Sequence, residues 1–246
     1  MSVAAIIVLY NPDFEKLQRL YLSACNQVSS IIFVDNTPTF ESREKNKIWI
    51  EDLHNKNNYY LSMNGNLGIA TAQNKGIEFA KNLNAEFVLL LDQDSALPDD
   101  MVKKLLSAYQ KLSYDNKKIA VVAPSFVDEK TGEIAKVIRH KKLKVQKIQP
   151  SINQDFEQAD YVISSGSLIK LSVLDILGLM KDELFIDWVD IEWGLRAKQL
   201  GFMSYVIPSV LMEHSIGDES VVVGSNINLH SDFRNYFICK FRILSQ

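Results

Sequence analysis

Cysteine is almost absent, with Cys25 and Cys239 the only two in 246 residues. Two thiols make neither a disulfide framework nor a four-thiolate zinc site, and each is expected to be a small buried side chain in a reducing compartment. Charge of one sign is lacking too: 27 Lys and Arg face 30 Asp and Glu, for a formal net charge of -3. That balance offers no bulk attraction to nucleic acid. Long apolar runs are missing, since those at 4–10 and 87–91 fall far short of the roughly 20 residues a bilayer needs. Met1-Ser2-Val3 enters the first run without a basic stretch, and Asn11-Pro12-Asp13 closes it, so no secretory leader is read. There is no linker rich in Gly, Pro or Ser, no repeat and no low-complexity tract. What remains is an ordinary globular composition, 47% hydrophobic and 23% charged, at a length that suits one large domain. A cytoplasmic location is the expectation.

The run at 4–10 predicts a strand buried on both faces. Asn11-Pro12-Asp13 supplies a turn and a helix start, and Phe14, Leu17, Leu20, Tyr21 and Ala24 follow at helical spacing. Ile31-Ile32-Phe33-Val34 predicts a second strand ending at Asp35-Asn36, and Tyr59-Tyr60-Leu61-Ser62-Met63 a third. A helix rich in small residues is read over 68–83. Phe87-Val88-Leu89-Leu90-Leu91 then predicts a buried strand ending at Asp92-Gln93-Asp94. Val102, Leu105, Leu106, Tyr109 and Leu112 mark the next helix, and 119–123 the next strand. This alternation predicts an α/β fold with a mainly parallel, Rossmann-like sheet and helices on both faces. Ligands bind such sheets beyond the carboxyl ends of the strands. Tyr10-Asn11, Asp35-Asn36 and Asp92-Gln93-Asp94 all stand there, so the three polar clusters are read as one site. The second half is less regular: extended or hairpin structure over 125–147 with a turn at Thr131-Gly132, strand around Gly166, and helices within 185–200 and 233–244. We read a single domain, 1–246, with a nucleotide-binding half at 1–124 and a substrate-facing half at 125–246.

Four segments carry candidate chemistry. In extended backbone, Asp92 and Asp94 would point to one side, and two hard oxygen ligands at a strand tip suit Mg²⁺ or Mn²⁺ holding a diphosphate. The competing reading is a solvated turn in which Asp94 or Ser95 caps the helix that Pro98 opens. Small residues from Asn66 to Gly76 allow close approach to a ligand, or else simply tight helix–sheet packing. Their glycine spacing is not the dinucleotide fingerprint. Phe185 to Arg196 sets Asp187, Asp190 and Glu192 among large apolar groups, where burial would raise a carboxyl pKa. In one continuous helix Asp187 and Asp190 share a face and supply the better general base. An acidic first turn, with Glu192 pairing to Arg196, is the alternative. His214 reads either as a structural hydrogen-bonder or, with Asp94, as a third metal ligand. The basic stretch of Lys136, Arg139, His140, Lys141, Lys142, Lys144 and Lys147 reads as a solvated hairpin face or a contact for anionic lipid or acceptor. The stripe of Phe233, Tyr236, Phe237, Phe241 and Leu244 reads as core or dimer packing, or as a membrane-surface helix.

Taken in order, Val8-Leu9-Tyr10-Asn11-Pro12, Val34-Asp35-Asn36, Asn66-x-Gly68-x-Ala70-x-Ala72-x-Asn74-x-Gly76, Asp92-Gln93-Asp94 and Phe185-Ile186-Asp187-Trp188-Val189-Asp190-Ile191-Glu192-Trp193 resemble family 2 glycosyltransferases of the GT-A fold. The last motif is similar to the bacterial rhamnosyltransferase-like branch, and the resemblance covers nearly the whole chain. It implies an inverting, metal-dependent transfer of a sugar, first of all rhamnose from dTDP-rhamnose, to a cell-surface glycan or lipid-linked acceptor. Residue by residue, it implies that Tyr10, Asn11, Pro12 and Asp35 hold the base and ribose. Asn66, Gly68 and Asn74 would line the nucleotide and sugar pocket, with Asp92 and Gln93 near the ribose and sugar. Asp94 and His214 would bind the divalent metal, Mg²⁺ or Mn²⁺, and Gly166, Ser167 and Trp188 would face the acceptor. Asp190 matches the second acid of the family's Glu-Asp pair, the catalytic base. Val189 stands where that pair has glutamate, which leaves Asp187 or Glu192 to share the acid's work. Family members continue with further helices, so acceptor or membrane contacts are expected beyond Phe233-Arg234-Asn235-Tyr236. The partners implied are the nucleotide sugar and the glycan acceptor, with peripheral contact at the inner face of the cell membrane and a homodimer as further candidates.

Two rivals remain. A metal-dependent phosphohydrolase needs its acidic pair after the first strand, whereas here it follows the fourth. A catalytically degenerate glycan-binding or scaffold domain is the reading that Val189 keeps open.

Overall fold

A computed structural model of the chain describes residues 1–128, 132–141, 144–214, 220–223 and 225–228. The first half alternates as expected: β1 (Val3–Leu9), α1 (Phe14–Ala24), β2 (Ser30–Asp35), α2 (Phe40–Asp52), β3 (Asn58–Ser62), α3 (Ile69–Asn82), β4 (Phe87–Asp92), α4 (Met101–Tyr114) and β5 (Ile119–Asp128). A hairpin, β6 (Val137–Lys141) and β7 (Lys144–Ile148), precedes β8 (Glu157–Ala159), β9 (Ser167–Lys170), α5 (Leu171–Leu177), α6 (Val189–Gln199) and β10 (Met203–His214). A small antiparallel pair, β11 (Ser220–Val223) and β12 (Ser225–Asn228), follows.

The main sheet has the order β3-β2-β1-β4-β9-β5-β10-β8. Its strands are parallel except β9, which runs antiparallel to β4 and β5, and β8, which runs antiparallel to β10. Alternate residues of one strand feed opposite cores. Val3, Ala5, Ile7 and Leu9 of β1 pack with Leu17 and Leu20 of α1 and Leu105 of α4. Ala4 and Ile6 pack with Ala70 and Ile77 of α3 and Trp193 of α6. Burial on both faces is why these strands are continuous apolar runs. The small residues of α3 serve packing in part: a Cβ on Gly76 would lie 2.5 Å from Cγ2 of Ile6.

Several local expectations change. Pro12 precedes α1, and Asp13 is its N-cap, accepting from the N–H of Glu15. Cys25 is half-buried rather than buried; Cys239, Thr131 and the stripe at 233–244 lie outside the described residues. The segment around Gly166 is strand only from Ser167, whereas the helix expected within 185–200 is present as α6. Among the described residues, no helix is long and apolar enough to cross a membrane.

Candidate active site

The register places Asp35 opposite Leu9 and Asp92 opposite Val8, so the carboxyl ends of β1, β2 and β4 meet. Amide side chains then join them. Gln93 Oε1 accepts from the Tyr10 N–H at 2.8 Å, and its Nε2 donates to the Tyr10 carbonyl at 3.1 Å. The Asn11 N–H donates to Thr37 Oγ1 at 3.1 Å, with Asn11 at a φ of 44° that asparagine tolerates. Asn36 Oδ1 accepts from the Leu67 N–H at 2.8 Å, and its Nδ2 donates to Asn66 Oδ1 at 2.9 Å. Asn66 Oδ1 also accepts from the Gly68 N–H at 3.1 Å. The structure thus brings Tyr10, Asn11, Asp35, Asn66, Gly68, Asp92 and Gln93 to one edge. Tyr10 remains 48% exposed there, with Pro12 half-buried beside it.

Asp35 lies in the floor of that edge. It is fully buried, and its carboxylate accepts from the Thr37 N–H at 3.0 Å, Asn46 Nδ2 at 3.0 Å and the Tyr60 hydroxyl at 2.9 Å. Burial, then the Asp35 hydrogen bond and charge, pushes the Tyr60 phenol well above its usual range. No local sequence pattern marks Asn46 and Tyr60 as partners of Asp35, from which they stand 11 and 25 residues away.

Beyond Asp92 the backbone does not stay extended. The Ser95 N–H donates to the Asp92 carbonyl at 3.1 Å, closing a turn that takes Asp94 out of strand alternation. Neither Asp94 nor Ser95 caps α4, whose N-cap is Asp100 in the left-handed region. Ser95 Oγ instead lies 2.8 Å from Ser165 Oγ, which accepts the Asp92 N–H at 3.1 Å. Ser165 belongs to a short loop that also reaches the second acidic motif: Ser164 and Asp190 line one small cavity, and the Ser164 N–H favours the ionised Asp190 carboxyl. Gly166 and Ser167 anchor this loop from below. Gly166, at φ 76°, sits under the Pro124 ring, its N–H donates to the Leu90 carbonyl at 2.7 Å, and Ser167 Oγ donates to the Ile163 carbonyl at 2.7 Å. Both are buried. The two serines preceding a glycine were the only sequence signal for this loop.

Asp187 precedes α6, so the shared helical face expected of Asp187 and Asp190 does not form. Phe185 at φ 60° and Trp188 at φ 68° break the helix there. Such backbone is rare for bulky residues and costs on the order of 1–3 kcal/mol per residue. Trp188, 38% exposed, rides on this turn. Desolvation is the largest influence on Asp190 and raises its pKa; the N–H groups of Ile191, Asp190 and Ser164 oppose it, and the Asp187 charge adds to it. Glu192 is engaged elsewhere: Arg196 Nε and Nη2 each lie 3.0 Å from its oxygens, and Lys181 Nζ 3.0 Å. Val189 is 3% exposed and packs in the core with Leu184 and Trp193.

Asn74 of α3 is turned to the segment between α5 and α6. Its Nδ2 donates to the Met180 carbonyl and Asp182 Oδ1, each at 2.8 Å, and its Oδ1 accepts from the Met180 N–H at 3.0 Å. His214 ends β10, and its side chain lies outside the described residues. Among the described residues, no three His, Cys, Asp or Glu side chains cluster around a metal position. Asp94 and Asp92 remain as hard oxygen donors, a set that suits a divalent cation keeping part of its hydration.

Residues 4–177 match the family described as Glycosyl transferase family 2. The dTDP-rhamnosyl transferase RfbF of Shigella flexneri is 35% identical over 238 residues, covering 96% of this chain and 77% of that protein. The low-salt glycan biosynthesis hexosyltransferase Agl10 of Haloferax volcanii is 23% identical over 248 residues, covering 100% of this chain and 77% of that protein. Among solved structures, GalNAc-T7 with UDP, GalNAc and Mn²⁺ superposes with a TM-score of 0.70 at 16% identity, over 88% of this chain and 44% of that one.

Proposed function

The chain belongs to glycosyl transferase family 2 and has its GT-A fold, and on that premise we propose that it transfers rhamnose from dTDP-rhamnose to a glycan or lipid-linked acceptor with inversion. It is a glycosyltransferase; the donor rests on the 35% identity to RfbF across 96% of the chain.

The observation that carries the mechanism is Asp190, a desolvated carboxyl that accepts from the Ile191 N–H and lies beside the short loop that holds Asp92. In the proposed step Asp190 takes the proton of an acceptor hydroxyl as that oxygen attacks the anomeric carbon. The bond from that carbon to the diphosphate breaks, and its electron pair leaves on the phosphate oxygen. Attack from the face opposite the leaving group inverts the centre without a covalent sugar–enzyme intermediate. Tyr10, Asn11 and Pro12 would bound the nucleotide, with Asp35 ordering the Thr37 wall beneath it. Asn66 and Gly68 would flank the sugar beside Asp92 and Gln93. Asp94 and Asp92 would hold a divalent cation, with His214 as a further ligand. Such a cation, when bound, neutralises charge on the departing diphosphate; the GalNAc-T7 structure holds Mn²⁺ with UDP. Trp188 would meet the acceptor, while Gly166, Ser167 and Asn74 would shape the site from behind.

Val189 gives the degenerate reading little support, because position 189 faces the core and its valine removes no carboxylate from beside Asp190. Calorimetry with dTDP, UDP and GDP, each with Mn²⁺ and with EDTA, tests the proposal. Metal-dependent binding of dTDP is expected. No binding of any nucleotide by folded protein would return the scaffold reading to the front.

A further inference from the structure

Asp190 also lines a cavity of about 20 Å³ beneath α6, whose wall is largely apolar, with Val121 and Met180 among it, and whose other polar side chains include Ser164, Ser167 and Ser204. Ser204 lies on β10 opposite Val121 of β5 and Ala159 of β8. It is 1% exposed, and its Oγ has no hydrogen-bond partner among the described residues. The neighbouring polar groups are already directed elsewhere: Ser167 Oγ donates to the Ile163 carbonyl at 2.7 Å, and Trp193 Nε1 to the Gly178 carbonyl at 2.9 Å. A buried hydroxyl left unpaired is costly. A polar cavity larger than roughly 10–15 Å³ holds a water when it offers two to four partners.

We propose that one ordered water sits in this cavity and bridges Ser204 Oγ to the Asp190 carboxylate, making Ser204 a positioning residue for the base. The water accepts from the Ser204 hydroxyl and donates to Asp190. Donation to the ionised form favours it and offsets part of its desolvation. This inference rests on the base role proposed above.

Other charged or titratable groups surround Asp190. Asp187 comes from the turn before α6 and Tyr161 from the segment between β8 and β9. Asp160 is paired with Lys198 of α6 at 2.7 Å, and Glu192 with Arg196 and Lys181. Substitution at 204 alters none of these groups, so a change in the Asp190 titration reports the hydroxyl.

The experiment compares Ser204→Thr with Ser204→Val, side chains of one shape that differ by the hydroxyl. Loss of the hydroxyl in Ser204→Val moves the acid limb of kcat/KM upward by about half a unit to one unit, and slows transfer roughly three- to tenfold on that limb. Ser204→Thr keeps the wild-type limb. Coincident limbs in the two variants overturn the proposal. Ser204→Ala, which adds no bulk, replaces Ser204→Val where the larger side chain prevents folding. A second readout needs no turnover: the carbon-13 shift of the Asp190 carboxyl, assigned through Asp190→Asn and titrated in each variant. Equal titration midpoints in the hydroxyl-bearing and hydroxyl-free variants overturn the water bridge. An inactive wild type, by contrast, overturns only the transferase mechanism.

Discussion

A Cβ placed on Gly68 would lie 2.6 Å from the carbonyl oxygen of Phe185, the same oxygen that accepts the Ile69 N–H at 2.6 Å. The start of α3 therefore rests on the strained turn that leads to Asp190. Gly68 also sits at φ 87°, which an L side chain rarely adopts. Gly68→Ala should lower stability by about 1–3 kcal/mol from backbone strain. It should also displace the 185–190 turn, so transfer falls further than nucleotide affinity does. Denaturant midpoints, dTDP calorimetry and turnover on one preparation check this. Turnover at the wild-type rate would show that the contact between the two motifs has no bearing on the chemistry.

Gln93 holds Tyr10 through both halves of its amide. Replacing it with alanine leaves the Tyr10 N–H and carbonyl to water, at a stability cost of about 1 kcal/mol because the position is accessible. The larger effect should fall on the nucleotide, since Tyr10-Asn11-Pro12 loses its fixed orientation. Gln93→Glu keeps the acceptor for the Tyr10 N–H but loses the donor to the carbonyl, and adds negative charge near the expected diphosphate. Nucleotide affinity should fall in the order wild type, Gln93→Ala, Gln93→Glu. Equal affinities across the three proteins would place the nucleotide elsewhere.

Why some of this was readable from sequence and some was not follows from the range of the forces involved. Strands such as Ala4 to Leu9 are buried on both faces, so burial alone writes them as apolar runs. The site edge is a consequence of parallel topology, which the strand–helix alternation implies. Asp35 and Asn74 look like ligand groups in sequence, yet each is occupied by internal partners, Asn74 by residues 106 and 108 positions away. The Ser164–Ser165 loop carries no period, because its role lies in two hydrogen bonds rather than in a buried face. The helix start at Val189 is set by the left-handed Trp188, a conformation that residue preferences argue against.

Asp94 leaves the strand at the turn closed by Ser95 and Asp92, which directs it away from the alternation that would have paired it with Asp92. If Asp94 holds the cation at the diphosphate, Asp94→Ala should weaken dTDP binding in Mn²⁺ to about the level of the wild type in EDTA. The metal-free affinity of the variant should stay near that of the wild type. An Asp94→Ala protein that still binds dTDP more tightly with Mn²⁺ than without it would assign the cation to other residues.

If Asp190 is the base proposed above, it links activity and stability with opposite signs. Its folded-state pKa is raised, mainly by burial, so the folded protein holds that proton more tightly than the unfolded chain. At low pH the carboxyl is protonated in both states and contributes nothing. As pH rises past the ordinary aspartate value of about 3.9, the unfolded chain ionises first and stability falls. The fall ends once pH exceeds the raised folded-state value. Asp190→Asn removes this penalty, so at neutral pH the variant should be more stable than the wild type, and the gain should vanish below about pH 4. Transfer should drop by roughly 10²- to 10⁴-fold, the usual worth of a general base, while dTDP affinity is retained. Thermal unfolding of both proteins from pH 4 to 8 checks the first half, and turnover the second. A variant that loses both turnover and stability at neutral pH would mean that the carboxylate, with its bond from the Ile191 N–H, is needed to hold the turn.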